Sequence, residues 1–86
     1  MNMFTAQLSQ VEESLLGFLA TRTKQDWEPD TDLFAMGGMS SLFAMELVVH
    51  LECTFGVTVE GEHLNLDNFR TVRRMATLVR RLRGDE

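Results

Sequence analysis

Apolar residues in the first quarter of the chain recur every three or four positions, which is the spacing of an amphipathic helix. The stripe consists of Phe4, Leu8, Val11, Leu15, Phe18 and Leu19. It predicts a first helix from about Thr5 to Arg22. The segment from Lys24 to Leu33 is polar and holds the only proline, Pro29, so we expect a long loop there.

Three apolar residues at the end of this loop, Leu33, Phe34 and Met36, are expected to hold it against the core, with Phe34 as the anchor. The pair Gly37-Gly38 then interrupts the chain. The run from Leu42 to Phe55 contains neither glycine nor proline and predicts the second helix. Its apolar residues cover more than one stripe, so we expect this helix to be the best buried.

The ends of the later elements are marked by capping residues. Ser40 is a candidate N-cap of the second helix and Gly56 ends it, as a left-handed glycine does. Residues 57–59 favour a strand by propensity, but they have no partner strand, so an extended loop is predicted. A short third helix is predicted over Glu62–Leu66, and Thr71 is the candidate N-cap of the last helix. The apolar stripe of that helix consists of Val72, Met75, Ala76, Val79 and Leu82.

These elements predict an all-α fold, a bundle of three main helices and one short helix with a long first loop. The chain has 86 residues, which is enough for one domain over residues 1–86, ordered over about 5–83. A core this small leaves little room for an enclosed active site. The single cysteine, Cys53, excludes an internal disulfide and fits a reducing, cytoplasmic setting. No apolar run approaches the ~18 residues of a membrane span, so we expect no membrane partner.

Charge is distributed unevenly around a net value of -5. Between Gln25 and Phe69 there are nine acids and no Lys or Arg, which suits basic partners. From Arg70 to Arg83 there are six arginines and no acid. This basic end is interpreted as a solvated helix face paired loosely with the acidic body. A nucleic-acid patch is the alternative, and the net charge argues against a nucleic-acid partner.

The segment from Asp32 to Glu52 reads DLFAMGGMSSLFAMELVVHLE. It resembles the acyl carrier protein family, including peptidyl and D-alanyl carrier proteins. The resemblance covers nearly the whole chain and is carried by Phe34, Gly37, Ser41, Leu42, Glu46, Leu47 and Val48, with Phe55-Gly56-Val57 and residues 68–72 downstream. It implies a 4′-phosphopantetheine arm on Ser41 whose thiol holds an acyl group, and a carrier protein rather than an enzyme.

The physical setting of Ser41 supports this site independently. A hydroxyl that follows Gly-Gly at a helix start is reachable, and the helix dipole favours a phosphate there. Simple N-capping is the alternative explanation for the two serines. The family usually has Asp before the modified serine, where this chain has Ser40. This difference puts in question which transferase accepts the chain, and it makes Ser40 a second candidate. The spacing to Leu42, Glu46 and Leu47 favours Ser41.

Docking of partner enzymes is expected on the second helix. The candidate residues are Met39, Leu42, Phe43, Met45, Glu46, Val49 and Glu52. A core position is the alternative for Met45 and Val49, and an ordinary solvated position is the alternative for both glutamates. The expected partners of this monomer are a phosphopantetheinyl transferase, an acyl-loading enzyme and condensing or tailoring enzymes.

The pathway indicated is of the polyketide, nonribosomal-peptide or fatty-acid type. The stretch Ser-Leu-Phe-Ala-Met resembles hydroxymalonyl- and methoxymalonyl-type carriers. The alternative is a carrier-fold interaction module without the arm, for which the serine at position 40 is the support.

Three residues suggest a metal site or a Cys-His nucleophile. His50 and Cys53 lie three positions apart on the second helix and would share a face, with His63 further along the chain. No carboxylate spacing completes a zinc site with them, and nothing indicates a nucleophile with a lowered pKa. We therefore expect neither a metal site nor a catalytic cysteine.

Overall fold

The computed structural model describes residues 9–35 and 40–84. It contains the helices α1 (Gln10–Thr23), α2 (Ser41–Phe55) and α3 (Val72–Arg83), and two 3₁₀ turns, Gly61–His63 and Leu66–Phe69. The described residues form no strand. The all-helical prediction is confirmed, but two 3₁₀ turns replace the short helix that was predicted over Glu62–Leu66. None of the described helices is long and apolar enough to cross a membrane.

A capping box sets the start of α1. The Ser9 hydroxyl accepts a hydrogen bond from the Glu12 N–H, and the Glu12 carboxylate accepts one from the Ser9 N–H, at 3.1 and 2.9 Å. Ser9 itself is extended, so α1 begins at Gln10 and the predicted start at Thr5 is wrong. The apolar spacing alone extends the predicted helix to residues before Ser9, whereas the Ser-x-x-Glu capping pattern marks where the helix begins. Phe4 and Leu8, which the first stripe included, lie outside the described residues.

The core is formed mainly where α1 packs against α3. Leu15, Leu19, Val72, Met75 and Val79 are fully buried there. Leu47 and Leu51 of α2 join them, but α2 buries only four of its 15 residues, whereas α3 buries five of 12. The expectation that the second helix is the best buried is therefore wrong. Its surplus of apolar residues is directed outward instead.

The first loop is attached to the start of α3. The Leu33 N–H donates to the Arg70 carbonyl at 2.8 Å, and the Arg73 N–H donates to the Pro29 carbonyl at 2.9 Å. Leu33 is fully buried, whereas Phe34 is half-buried and packs against the edge of the core. Leu33, and not Phe34 as predicted, is thus the deeper anchor of the loop. Met36 lies outside the described residues.

The segment that follows α2 is extended, as predicted. Gly56 ends the helix in the left-handed conformation with φ 69°. Val57 and Val59 point into the core, and the Val59 N–H donates to the Glu52 carboxylate at 3.0 Å. This side chain supplies the hydrogen bond that a neighbouring strand would otherwise give.

Ion pairs join the acidic middle of the chain to its basic end, as the charge pattern indicated. Arg73 binds both carboxylate oxygens of Asp30, at 2.6 and 3.1 Å, and Arg70 pairs with Asp67 at 2.7 Å. These hydrogen bonds hold the pKa of Asp30 and of Asp67 below the ordinary value. All four side chains are exposed, so each pair contributes little to stability.

Candidate functional site

Ser40 acts as the N-cap of α2. Its backbone is extended, its hydroxyl accepts a hydrogen bond from the Phe43 N–H at 3.1 Å, and its carbonyl accepts one from the Ala44 N–H at 3.0 Å. The capping role predicted for Ser40 is confirmed. Its hydroxyl oxygen is therefore engaged by the helix that it begins.

Ser41 is the first residue of α2 and is exposed. Within the described part of the chain its hydroxyl has no hydrogen-bond partner, and the N–H groups of Ser41 and Leu42 also lack one. The first turn of α2 carries no acidic residue that would repel an anion. A phosphodiester on Ser41 would lie beside free N–H groups at the positive end of the helix dipole, so the site fits a phosphopantetheine arm.

An apolar surface extends along α2 from Ser41. It consists of Leu42, Met45 and Val49, which are 71%, 51% and 53% exposed. The spacing of three and four places them on one face of the helix. Phe43 is half-buried and packs against the core, with its ring stacked 6.2 Å from the ring of Phe18. Met39 lies outside the described residues.

The two glutamates of α2 have different surroundings. Glu46 pairs with Arg22, whose guanidinium lies 5.3 Å from the centroid of the Phe18 ring. Its carboxylate lies at the surface, in an open groove of about 440 Å³ between α1 and α2. Glu52 is half-buried and bonded to the Val59 N–H, so it holds the 57–60 segment in place.

A second, smaller groove begins at Ser41 itself. It measures about 200 Å³ and runs between α2 and the connector formed by residues 61–69. Leu64 and Leu66 form its far side and are half exposed, at 50% and 53%. Sequence reasoning missed both residues. Two leucines alternating with polar residues in a polar stretch, His63 to Asn68, were the available signal.

The candidate metal or nucleophilic residues are not brought together. The His50 ring stacks 4.1 Å from that of Phe18, and its Nδ1 lies 3.3 Å from the Thr54 hydroxyl. Partial burial lowers the pKa of His50. Cys53 is exposed, and His63 lines a separate groove beside α3. The described residues hold no group of three potential metal ligands.

Comparisons with known proteins identify the family of the chain. The family described as a phosphopantetheine attachment site matches residues 9–79. The chain is also 26% identical over 78 residues to D-alanyl carrier proteins from two strains of Lactobacillus delbrueckii subsp. bulgaricus, which covers 88% of this chain and 98% of those proteins. No solved structure matches it. The chain therefore belongs to the phosphopantetheine attachment site family, and it is a carrier for covalently attached 4′-phosphopantetheine rather than an enzyme.

Proposed function

We propose that Ser41 bears the arm and that the chain, as a single carrier domain, passes a thioester-bound substrate between enzymes of one biosynthetic pathway. The arm supplies a flexible thiol that holds the cargo. The observation that carries this proposal is the division of roles between two adjacent serines. Ser40 uses its hydroxyl oxygen to cap α2, whereas Ser41 is exposed and its hydroxyl has no hydrogen-bond partner among residues 9–35 and 40–84.

The protein contributes an attachment point and a surface that other enzymes recognise. Leu42, Met45 and Val49 give partner enzymes an apolar contact beside the arm. Glu46 adds negative charge at the edge of that contact, where a basic residue of a partner can compete for it with Arg22. The partners of this surface are a phosphopantetheinyl transferase, an acyl-loading enzyme and condensing or tailoring enzymes.

The pathway is of the polyketide, nonribosomal-peptide or fatty-acid type. Similarity to D-alanyl carrier proteins adds aminoacyl groups to the acyl groups that the arm could hold. The cargo is selected by the loading enzyme, because it is held by the arm and not by the protein body.

The test is modification by a broad-specificity phosphopantetheinyl transferase with coenzyme A, followed by intact mass and peptide mapping. The parent and Ser40→Ala should each gain one phosphopantetheine, and Ser41→Ala should gain none. Ser40→Ala should also lose about 0.5–2 kcal/mol of stability through the missing cap. Ser9→Ala removes the hydroxyl cap of α1 and controls for that loss.

Two results would contradict the proposal. Full modification of Ser41→Ala would move the attachment to another residue. Failure of every transferase to modify the parent would favour the interaction module without an arm.

A further inference from the structure

A third groove lies on the α3 side of the connector and plays no part in the proposed function. It measures about 360 Å³ and is lined mainly by polar and basic side chains: His63, Asn68, Arg73, Arg74, Thr77, Leu78 and Arg81. We call it the basic groove.

Two of its cations have no ion-pair partner among the described residues. Arg73 is bound by Asp30, but Arg74 and Arg81 have no carboxylate within ion-pairing distance among residues 9–35 and 40–84. The charge of Arg74 helps to lower the pKa of Asp67, yet the Asp67 carboxylate accepts its hydrogen bond from Arg70. As far as the described residues go, the groove therefore presents two guanidinium groups without an ion-pair partner, in a protein whose net charge is -5.

The spacing of these cations favours an elongated ligand. Arg74 and Arg81 are two helical turns apart, which corresponds to about 10.5 Å along α3. Thr77 and Leu78 lie between them on the same side. A single phosphate cannot reach both ends of this row. A peptide segment with acidic side chains along its length can place carboxylates against both guanidinium groups.

The basic groove is independent of the attachment site. It shares no lining residue with the groove beside Ser41 or with the groove between α1 and α2. The connector separates them, since it directs Leu64 and Leu66 toward α2, and His63 and Asn68 toward α3. An occupant of the basic groove would leave Ser41 and the apolar surface of α2 accessible.

We propose that the basic groove binds an acidic segment of a partner protein and tethers the carrier while its arm remains free. Such a tether raises the effective concentration of the carrier at its enzymes without competing for α2. The benefit of the tether rests on the proposed function, whereas the binding itself does not.

An acidic peptide fits better than a nucleic acid. The groove has a short row of available cations, and acidic side chains of the first loop and connector surround the start of α3, including Asp30, Asp32 and Asp67. A longer polyanion would extend from the row toward Arg73 and Arg70, whose charges these carboxylates already balance, so it would gain no further ion pair there. A short acidic segment can end where the row ends.

The test is a titration of the ¹⁵N-labelled full chain with a capped tetraglutamate peptide, whose extended length of about 13 Å matches the row, followed through amide chemical shifts. Shifts should concentrate at His63, Asn68 and residues 74–81. The double variant R74Q/R81Q should bind about tenfold more weakly, because two charge-assisted contacts are lost. The matched control Q10E/Q25E changes the net charge by the same amount outside the groove and should bind within about twofold of the parent.

Three outcomes would overturn the proposal. The first is a set of shifts outside the groove, or binding that R74Q/R81Q leaves unchanged. The second is tighter binding of a single-stranded tetradeoxynucleotide than of tetraglutamate at equal salt. The third is inhibition of Ser41 modification by saturating peptide, which would contradict a tether that leaves the arm free. If Ser41 is not modified even without peptide, the proposed function fails, while the titration still decides the binding.

Discussion

Within the first loop, two neighbouring apolar residues have different roles. Leu33 is fully buried and its N–H is bonded to the Arg70 carbonyl, whereas Phe34 is half-buried at the edge of the core. The Asp32 carboxylate accepts the N–H groups of Phe34 and Ala35 at 3.0 and 3.1 Å. This turn directs Leu33 inward and leaves the phenylalanine partly exposed.

Leu33→Ala should lower the free energy of unfolding by about 2–5 kcal/mol, because it leaves a cavity in a closely packed core. Phe34→Ala should cost about 1 kcal/mol, since much of its ring is already in contact with water. Urea unfolding of both variants measures the difference. An equal or larger loss for Phe34→Ala would show that the phenylalanine is the anchor.

His50 should make stability depend on pH. Burial lowers its pKa in the folded protein, so below about pH 6.5 the unfolded chain takes up the proton first. Stability therefore falls as the pH drops below that value. His50→Phe keeps the stack on Phe18 and should remove this part of the pH dependence between about pH 7 and pH 5.5. His63→Gln is the control, and urea midpoints at both pH values give the comparison. An unchanged pH dependence in His50→Phe would exclude the effect.

Among the elements, the helices share the same kind of ends. Each begins at a hydroxyl N-cap, Ser9, Ser40 or Thr71, and each ends at a left-handed residue. The capping bonds satisfy N–H groups that a helix start leaves free. Domains this small depend on such terms because their cores are modest.

Two glycines give opposite predictions for the same substitution. Gly56 has a φ of +69°, and Gly17 lies inside α1; neither has an atom within 4 Å of an added Cβ. Gly56→Ala should cost about 1 kcal/mol because alanine is strained in the left-handed region. Gly17→Ala should stabilise by about 0.5–1 kcal/mol because it favours the helix. Thermal unfolding of the pair tests this, and a shift of the same sign in both would contradict it.

Features set by local chemistry could be predicted from the sequence. Ser40 and Thr71 begin helices and Gly56 ends one, each through a hydrogen bond to a residue at most four positions away, and all three were identified. The 3₁₀ turns were not predicted, and neither was the hydrogen bond that the Val59 N–H donates to Glu52, because contacts with neighbouring elements decide them. The pairing of Asp30 with Arg73 joins residues 43 positions apart. The choice between Leu33 and Phe34 as the deep anchor also requires the folded loop.

For the whole molecule, charges that are separate in the sequence partly cancel in space. The loop acids face the start of α3, so the acidic stretch contributes less outward field than its nine carboxylates suggest. Of the two glutamates of α2, Glu52 is bonded to the Val59 N–H, so under the proposed function Glu46 is the one that a partner enzyme would meet, in competition with Arg22.

Glu46→Gln should slow association with a cognate enzyme by about two- to tenfold at low salt, because it removes a charge beside the apolar surface. The effect should shrink as ionic strength exceeds ~0.15 M. Glu60→Gln, in the exposed loop after α2, is the matched control. Stopped-flow binding measures both variants, and equal slowing would place the recognised charge elsewhere.

The two backbone hydrogen bonds between the first loop and residues 70–73 also determine how the protein opens. Residues 29–33 can separate from residues 70–73 only if the hydrogen bonds of the Leu33 and Arg73 N–H groups both break. In amide hydrogen exchange these two N–H groups should therefore behave as one cooperative unit, with matching protection. The loop that leads toward Ser41 would then open and close with the last helix, although α2 lies between them in the chain.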